Sequence, residues 1–76
     1  MKREFDYSSL IGRIRSHGTM ELFASELHIT PQTLYSKLNN RTEFKQSEIL
    51  TAAKILGINS KDFNKYFFTT KVEKTQ

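Results

Sequence analysis

The chain is short, basic and free of cysteine, which excludes several classes of protein. It has 76 residues, with 12 Lys and Arg against 8 Asp and Glu and a formal net charge of +4. This length predicts one small domain, and the absence of Cys excludes a disulfide framework or a Cys-based metal site. No apolar run is long enough for a membrane span, and the start "MKREFD" does not resemble a signal peptide. We therefore expect a cytoplasmic protein without membrane association, and the positive charge favours nucleic acid as partner.

The first helix is predicted to follow Asp6, whose carboxylate can accept a hydrogen bond from a first-turn N–H. Leu10, Ile11 and Ile14 then recur at helical spacing and predict the buried stripe. Gly18 marks the end, because glycine readily takes the left-handed conformation common at helix C-termini.

The second and third helices are predicted to be separated by a very short turn. Thr19 can cap a helix over residues 20–27, in which Leu22 or Phe23 is a candidate core residue. Thr30 and Pro31 are a typical N-cap and first-turn pair, so a third helix begins about three residues after the second ends.

Two further helices are predicted, which gives an all-α fold of five helices. The fourth is predicted over residues 46–56, with Gly57 as its stop, and the fifth over residues 60–68. The fourth presents four apolar residues as its inner face: Ile49, Leu50, Ala53 and Leu56. The pattern predicts one domain over residues 1–68 and a polar tail over residues 69–76.

The tight second junction indicates a helix-turn-helix over residues 20–38. Such a pair needs a small residue where the helices cross and an apolar residue after the turn, and Ala24 and Ile29 meet these needs. Leu34 and Leu38, four residues apart, supply the inner face of the second helix of the pair.

The stretch "FASELHITPQTLYSKLNN", with "LIGRI", "ILTAAKILGI" and "YFF", resembles the Cro and lambda-repressor-like (XRE-type) helix-turn-helix family. Within it the chain is most similar to short phage and prophage repressor-like proteins of Gram-positive bacteria. Two departures stand out: His28 replaces the usual turn glycine, and the last inward apolar residue, Leu38, comes one position late. That shift places Lys37 where most members bury a side chain.

The resemblance implies a five-helix DNA-binding domain whose third helix enters the major groove of double-stranded DNA. Carried over by position, the base-reading residues are Pro31, Gln32, Tyr35 and Ser36. Gln32 is the foremost, since an amide can pair with adenine N6 and N7. The candidates for contact with the DNA backbone are Thr19, Thr30, Thr33, Lys37, Asn40, Arg41 and Lys45.

Other readings of these residues remain open. The polar side of the third helix could be an ordinary solvated face, and the fold could belong to an adaptor that binds a protein partner. Tyr66 and Phe68 lie off the predicted core face and suggest a homodimer seam, which would suit a palindromic operator. We expect no enzyme, metal, cofactor or small-molecule ligand, because no nucleophile–base pair, metal-ligand spacing or phosphate loop is present.

Overall fold

Five α-helices make up the fold in the computed structural model, which describes residues 4–71. They are α1 (Ser8–His17), α2 (Met20–Glu26), α3 (Pro31–Leu38), α4 (Gln46–Leu56) and α5 (Phe63–Phe67), the last entered through a 3-10 turn at Ser60–Asp62. No strand occurs within this range, and one antiparallel bridge joins Phe5 to Thr70. The predicted all-α class with five helices is therefore confirmed. None of the helices between residues 4 and 71 has the length and apolar character that a membrane crossing requires.

A single apolar core receives side chains from all five helices. Its largest fully buried members are Leu10, Ile14, Phe23, Leu34 and Phe67. Burial of each such side chain contributes about 1.5–3 kcal/mol. Because α1 packs against α2 and α5, and α2 packs against α3, this core fixes α3 to the body of the molecule.

The start and end of α1 differ in detail from the prediction. Tyr7 is the N-cap residue, and Asp6 lies one position earlier, where its Oδ1 accepts the N–H of Ser8 at 2.9 Å. Gly18 is extended (φ 172°) and not left-handed. Its missing side chain matters for space instead, since a Cβ there would lie 2.8 Å from Leu22 Cδ2.

The C-termini of α2, α3 and α4 share one motif, in which the chain leaves the helix through a left-handed residue. These residues are His28 (φ 62°), Asn40 (φ 65°) and Gly57 (φ 69°). In each case the next N–H bonds a carbonyl five residues back, as in Ile29 N to Ala24 O at 3.0 Å and Arg41 N to Ser36 O at 2.9 Å.

The inner face of α4 was predicted correctly except at one position. Leu50 is 58% exposed, whereas Ala52 is fully buried. The buried set 52, 53 and 56, with Ile49 partly buried, follows the i, i+3, i+4, i+7 spacing of one helix face. Leu50 lies about 100° away from Ile49 on the helix and falls outside that face.

The two ends of the described chain pair with each other. Asp6 N donates to Thr69 O at 2.6 Å, and Lys71 N donates to Glu4 O at 3.0 Å. Residues 69–71 of the predicted tail therefore lie against residues 4–6, while residues 72–76 fall outside the described range.

Candidate recognition surface on the third helix

The start of α3 is fixed by local chemistry that the sequence predicted. Thr30 Oγ1 accepts the N–H of Thr33 at 3.1 Å, and Pro31 occupies the first turn, where no N–H is needed. The Thr30 and Thr33 hydroxyls are also within 2.9 Å of each other. The α3 N-terminus is thus rigidly capped.

α2 and α3 are joined by a short turn over residues 27–30. Ala24 is fully buried where α2 packs on α3, and Ile29 packs partly buried against the same core. His28 takes the left-handed turn position, as its place in the pattern predicted. Histidine is tolerated there better than most residues but at some cost.

One side of α3 lines an open concavity of about 430 Å³. Gln32, Tyr35, Ser36 and Asn39 follow helical spacing and share this side. The full lining is Thr30, Gln32, Thr33, Tyr35, Ser36, Asn39 and Arg41. We call this set the recognition surface. It contains no carboxylate, and Tyr35 is 44% exposed.

Asn39 lines this surface although the sequence analysis did not predict it as a contact residue. Its position, three residues after Ser36 and four after Tyr35, is the signal that could have identified it. Pro31, which was predicted to contact DNA bases, is half-buried and does not line the concavity.

Lys37 is not available as a contact to the DNA backbone, which corrects the sequence prediction. It is only 5% exposed. Its Nζ donates to Glu43 O at 3.0 Å and lies 3.1 Å from Glu48 Oε1. The side chain at this position therefore points inward, and it is a lysine whose charge is paired inside the protein.

The Asn40 side chain is bonded within the protein, and its part as a DNA backbone contact stays a prediction. Its Oδ1 accepts the N–H of Phe5 at 2.8 Å, and its Nδ2 donates to Phe5 O at 3.0 Å. The carboxamide thus serves the backbone of Phe5 as a neighbouring strand would, and it ties the α3–α4 loop to the N-terminal segment.

The remaining candidate contacts lie at the surface. Arg41 and Lys45 are exposed in the α3–α4 loop, and Arg41 lines the concavity. Thr19 is exposed as the cap of α2, where its Oγ1 accepts the N–H of Leu22 at 3.0 Å. Their part in binding DNA stays a prediction.

The two candidate dimer residues have different surroundings. Phe68 is 45% exposed, with its ring edge-on to Phe5 at 6.1 Å between centroids. Tyr66 is half-buried, with the cations of Arg13 and Lys65 6.0 and 5.4 Å from its ring centroid. An apolar seam therefore has Phe68 as its more accessible member, and the dimer stays a prediction.

Beneath the α3–α4 loop lies an aromatic cluster in which Phe44 is the central ring. Phe44 stacks edge-on with Tyr7 at 5.4 Å and with Phe67 at 5.9 Å. Burial raises the pKa of the Tyr7 phenol, and the negative charge of Glu43 adds to the effect. At the N-terminal segment, hydrogen bonds from the Ser8 side chain and backbone lower the pKa of Asp6.

Comparison with known proteins gives the chain a family and a structural relative. No curated protein matches the chain. The solution structure of the modulator of repression (MOR) of the temperate bacteriophage TP901-1 from Lactococcus lactis matches with a TM-score of 0.75 and 41% sequence identity. The match covers 92% of this chain and 96% of that one. A family model described as "Protein of unknown function (DUF739)" matches residues 3–70, and the chain belongs to that family.

Proposed function

We propose that this chain regulates a phage or prophage genetic switch and that it acts through the recognition surface of α3. The similarity to a modulator of repression of a temperate bacteriophage supports the regulatory role. The α2–turn–α3 geometry supports membership of the Cro and lambda-repressor-like type. Such a regulator would work in the bacterial cytoplasm, where its target DNA lies.

The target that the geometry supports best is double-stranded DNA, bound by sequence. The observation that carries this proposal is the exposed Gln32 on a face of α3 that it shares with Tyr35 and Ser36, without a carboxylate in the lining. Glutamine can bond adenine through N6 and N7, Tyr35 can pack on a thymine methyl, and Ser36 can donate or accept.

Phosphate contacts would come from Arg41, Lys45 and Thr19, together with the N–H groups at the starts of α2 and α3. Affinity would then fall with salt, by a log–log slope of about −0.9 per phosphate neutralised. A homodimer formed through Phe68 and Tyr66 would place two α3 helices on half-sites about 34 Å apart and read a palindromic operator.

Selection of bound duplexes from a random pool, followed by Gln32→Ala, tests this proposal. The variant is expected to lose about 1–3 kcal/mol at one base pair of the selected site and to relax specificity there. Gln46→Ala is the matched control, because Gln46 is an exposed glutamine at the start of α4. Equal affinity of parent and Gln32→Ala for every operator variant would contradict the assignment.

A protein partner is the second candidate, and the electrostatics of the surface favour it. With Lys37 and Asn40 occupied internally, Arg41 is the only charged residue lining the concavity in the described chain. DNA binding gains most of its affinity from several phosphate-neutralising cations. The exposed Tyr35 and the 46% exposed Leu22 instead offer the aromatic and apolar contacts typical of protein interfaces.

Calorimetric titration with a repressor from the same phage or prophage separates the two candidates. A chain that binds protein is expected to tolerate Arg41→Ala yet to lose binding in Tyr35→Ala or Phe68→Ala. A chain that binds DNA is instead expected to depend on Arg41, so that Arg41→Ala weakens binding to every sequence and flattens the salt slope. Tyr35→Ala and Phe68→Ala are expected to weaken DNA binding as well, so the response to Arg41→Ala separates the two candidates.

A further inference from the structure

The loop between α3 and α4, residues 39–45, contributes Asn39 and Arg41 to the recognition surface. Polar loops of this size on a small domain are often mobile. Here, however, three buried or partly buried side chains restrain the loop. Lys37 and Glu48 bond its backbone, and Asn40 ties it to the N-terminal segment.

The first anchor is the Lys37–Glu48 pair, which brackets Phe44. Lys37 Nζ holds the carbonyl of Glu43 at 3.0 Å, and Glu48 Oε1 holds the N–H of Lys45 at 2.8 Å. The two side chains are joined by their own contact of 3.1 Å, and they are only 6% and 13% exposed. One ion pair therefore fixes the peptide groups on both sides of Phe44.

The same pair also fixes the ring of Phe44 in the core. Lys37 Nζ lies 6.0 Å from the Phe44 ring centroid, a cation–π distance. The ring in turn packs edge-on against Tyr7 and Phe67. The loop is thus attached to the core at its middle, and not only at its two helical ends.

The second anchor is Asn40, at the start of the loop. Its left-handed backbone carries the carboxamide to both polar groups of Phe5. The N–H of Arg41 is meanwhile held by Ser36 O at 2.9 Å. Arg41 is therefore flanked by an anchored residue and is itself bonded to α3.

A need for stability does not account for a buried ion pair at this position. Replacing a buried pair by apolar residues of similar volume is often neutral or stabilising, because two charges lose their hydration. The pair does what an apolar contact cannot: it fixes the orientation of the loop backbone, because it bonds one carbonyl and one N–H of the loop.

We propose that Lys37 and Glu48 are positioning residues, which keep the α3–α4 loop in one conformation so that Arg41 is presented beside α3 before any target binds. This role in recognition rests on the proposed function of the α3 face. Preorganisation of this kind removes the ordering cost that a mobile loop imposes on binding. Lys37 thus contributes to recognition without touching the target.

Amide hydrogen exchange tests this in the free protein, with no target required. The variant Lys37→Met with Glu48→Gln removes both charges, while the amide oxygen introduced at position 48 can still accept the N–H of Lys45. Exchange at the Arg41 amide is expected to rise at least tenfold relative to the core amide of Leu34, because the loop loses its attachment at the Glu43 carbonyl while Lys45 keeps an acceptor. Lys54→Met, which removes an exposed lysine of α4, is the control and should leave that ratio unchanged.

An unchanged ratio, or an equal rise at Leu34, would overturn the proposal, because the pair would then serve only global stability or nothing measurable. Should the double variant fail to fold, Lys37→Gln with Glu48→Gln gives the same ratio, because it also removes both charges and keeps a polar group at each position. Binding to a selected duplex is read separately, and there the double variant is expected to slow association while Lys54→Met does not. Failure of Gln32→Ala to alter binding would count against the proposed function and leave the exchange result standing.

Discussion

At the scale of single residues, Tyr7 links the protonation of a side chain to the stability of the fold. It is buried beneath the α3–α4 loop, and burial and Glu43 together raise its pKa in the folded state. The fold thus favours the neutral phenol. The stability this contributes is fully present below the pKa of about 10 of an unfolded tyrosine, and it is lost as the pH rises through the higher folded value.

Tyr7→Phe is therefore expected to resist alkali better than the parent, since phenylalanine keeps the ring packing and cannot ionise. Urea unfolding measured at about pH 8 and at several values above the unfolded tyrosine pKa of about 10 should show the parent losing stability more steeply than the variant. Tyr35→Phe is the matched control, because Tyr35 is exposed. An identical decline in parent and Tyr7→Phe would contradict the assignment.

The internal partners of Lys37 and Asn40 were not predicted, for a physical reason. Both are polar residues near a helix end, and polar residues there are usually solvated. Their actual partners are Glu48, the backbone of Glu43 and the backbone of Phe5, the last 35 residues away from Asn40. Such long-range pairings leave no local pattern, so the sequence could not reveal them.

At the scale of elements, the three left-handed helix ends use three different residues, His28, Asn40 and Gly57. Replacing His28 and Asn40 by glycine is expected to change the stability of the fold in opposite directions. An L-residue in this conformation costs about 1–2 kcal/mol. His28→Gly is thus expected to stabilise the fold by about 0.5–1 kcal/mol, the gain being reduced by the greater freedom of glycine in the unfolded chain.

Asn40→Gly is the matched contrast, since it relieves the same conformation. It also removes two hydrogen bonds to Phe5, each contributing about 0.5–1.5 kcal/mol, and is expected to destabilise. Urea midpoints of the two variants decide the matter. A stabilised Asn40→Gly would show that the carboxamide bonds contribute nothing to the fold.

The helices themselves were largely predictable because their signals are local. Thr30 with Pro31 at the start of α3 and Gly57 after α4 are cap signals that act within one turn, and they gave those boundaries directly. The fifth helix was less predictable. Its first turn is 3-10, and no side chain caps Ser60 or Phe63, so the pattern alone merged the two segments.

At the scale of the whole molecule, the pairing of the chain ends connects the C-terminal segment to the recognition surface. Residues 69–71 bond residues 4–6, and Phe5 bonds Asn40, which adjoins Arg41. The sequence had assigned residues 69–76 to a polar tail. The pairing could not be predicted from the sequence, because a single bridge between distant residues leaves no alternating apolar and polar pattern.

A chain ending at Phe68 is expected to lose about 1–3 kcal/mol of stability, since Asp6 N–H and Glu4 O lose their partners. A chain ending at Lys71 retains both bonds and is the control. Urea unfolding compares the two. Equal stability would show that the end pairing is immaterial to the fold.

The internal Lys37–Glu48 contact also restricts how relatives of this chain can diverge. A lineage that exchanges Lys37 for an apolar residue leaves a carboxylate nearly enclosed without its counter-ion, whereas one that exchanges Glu48 strands an ammonium. Positions 37 and 48 are therefore expected to covary across the family, with opposite charges at both or neutral side chains at both.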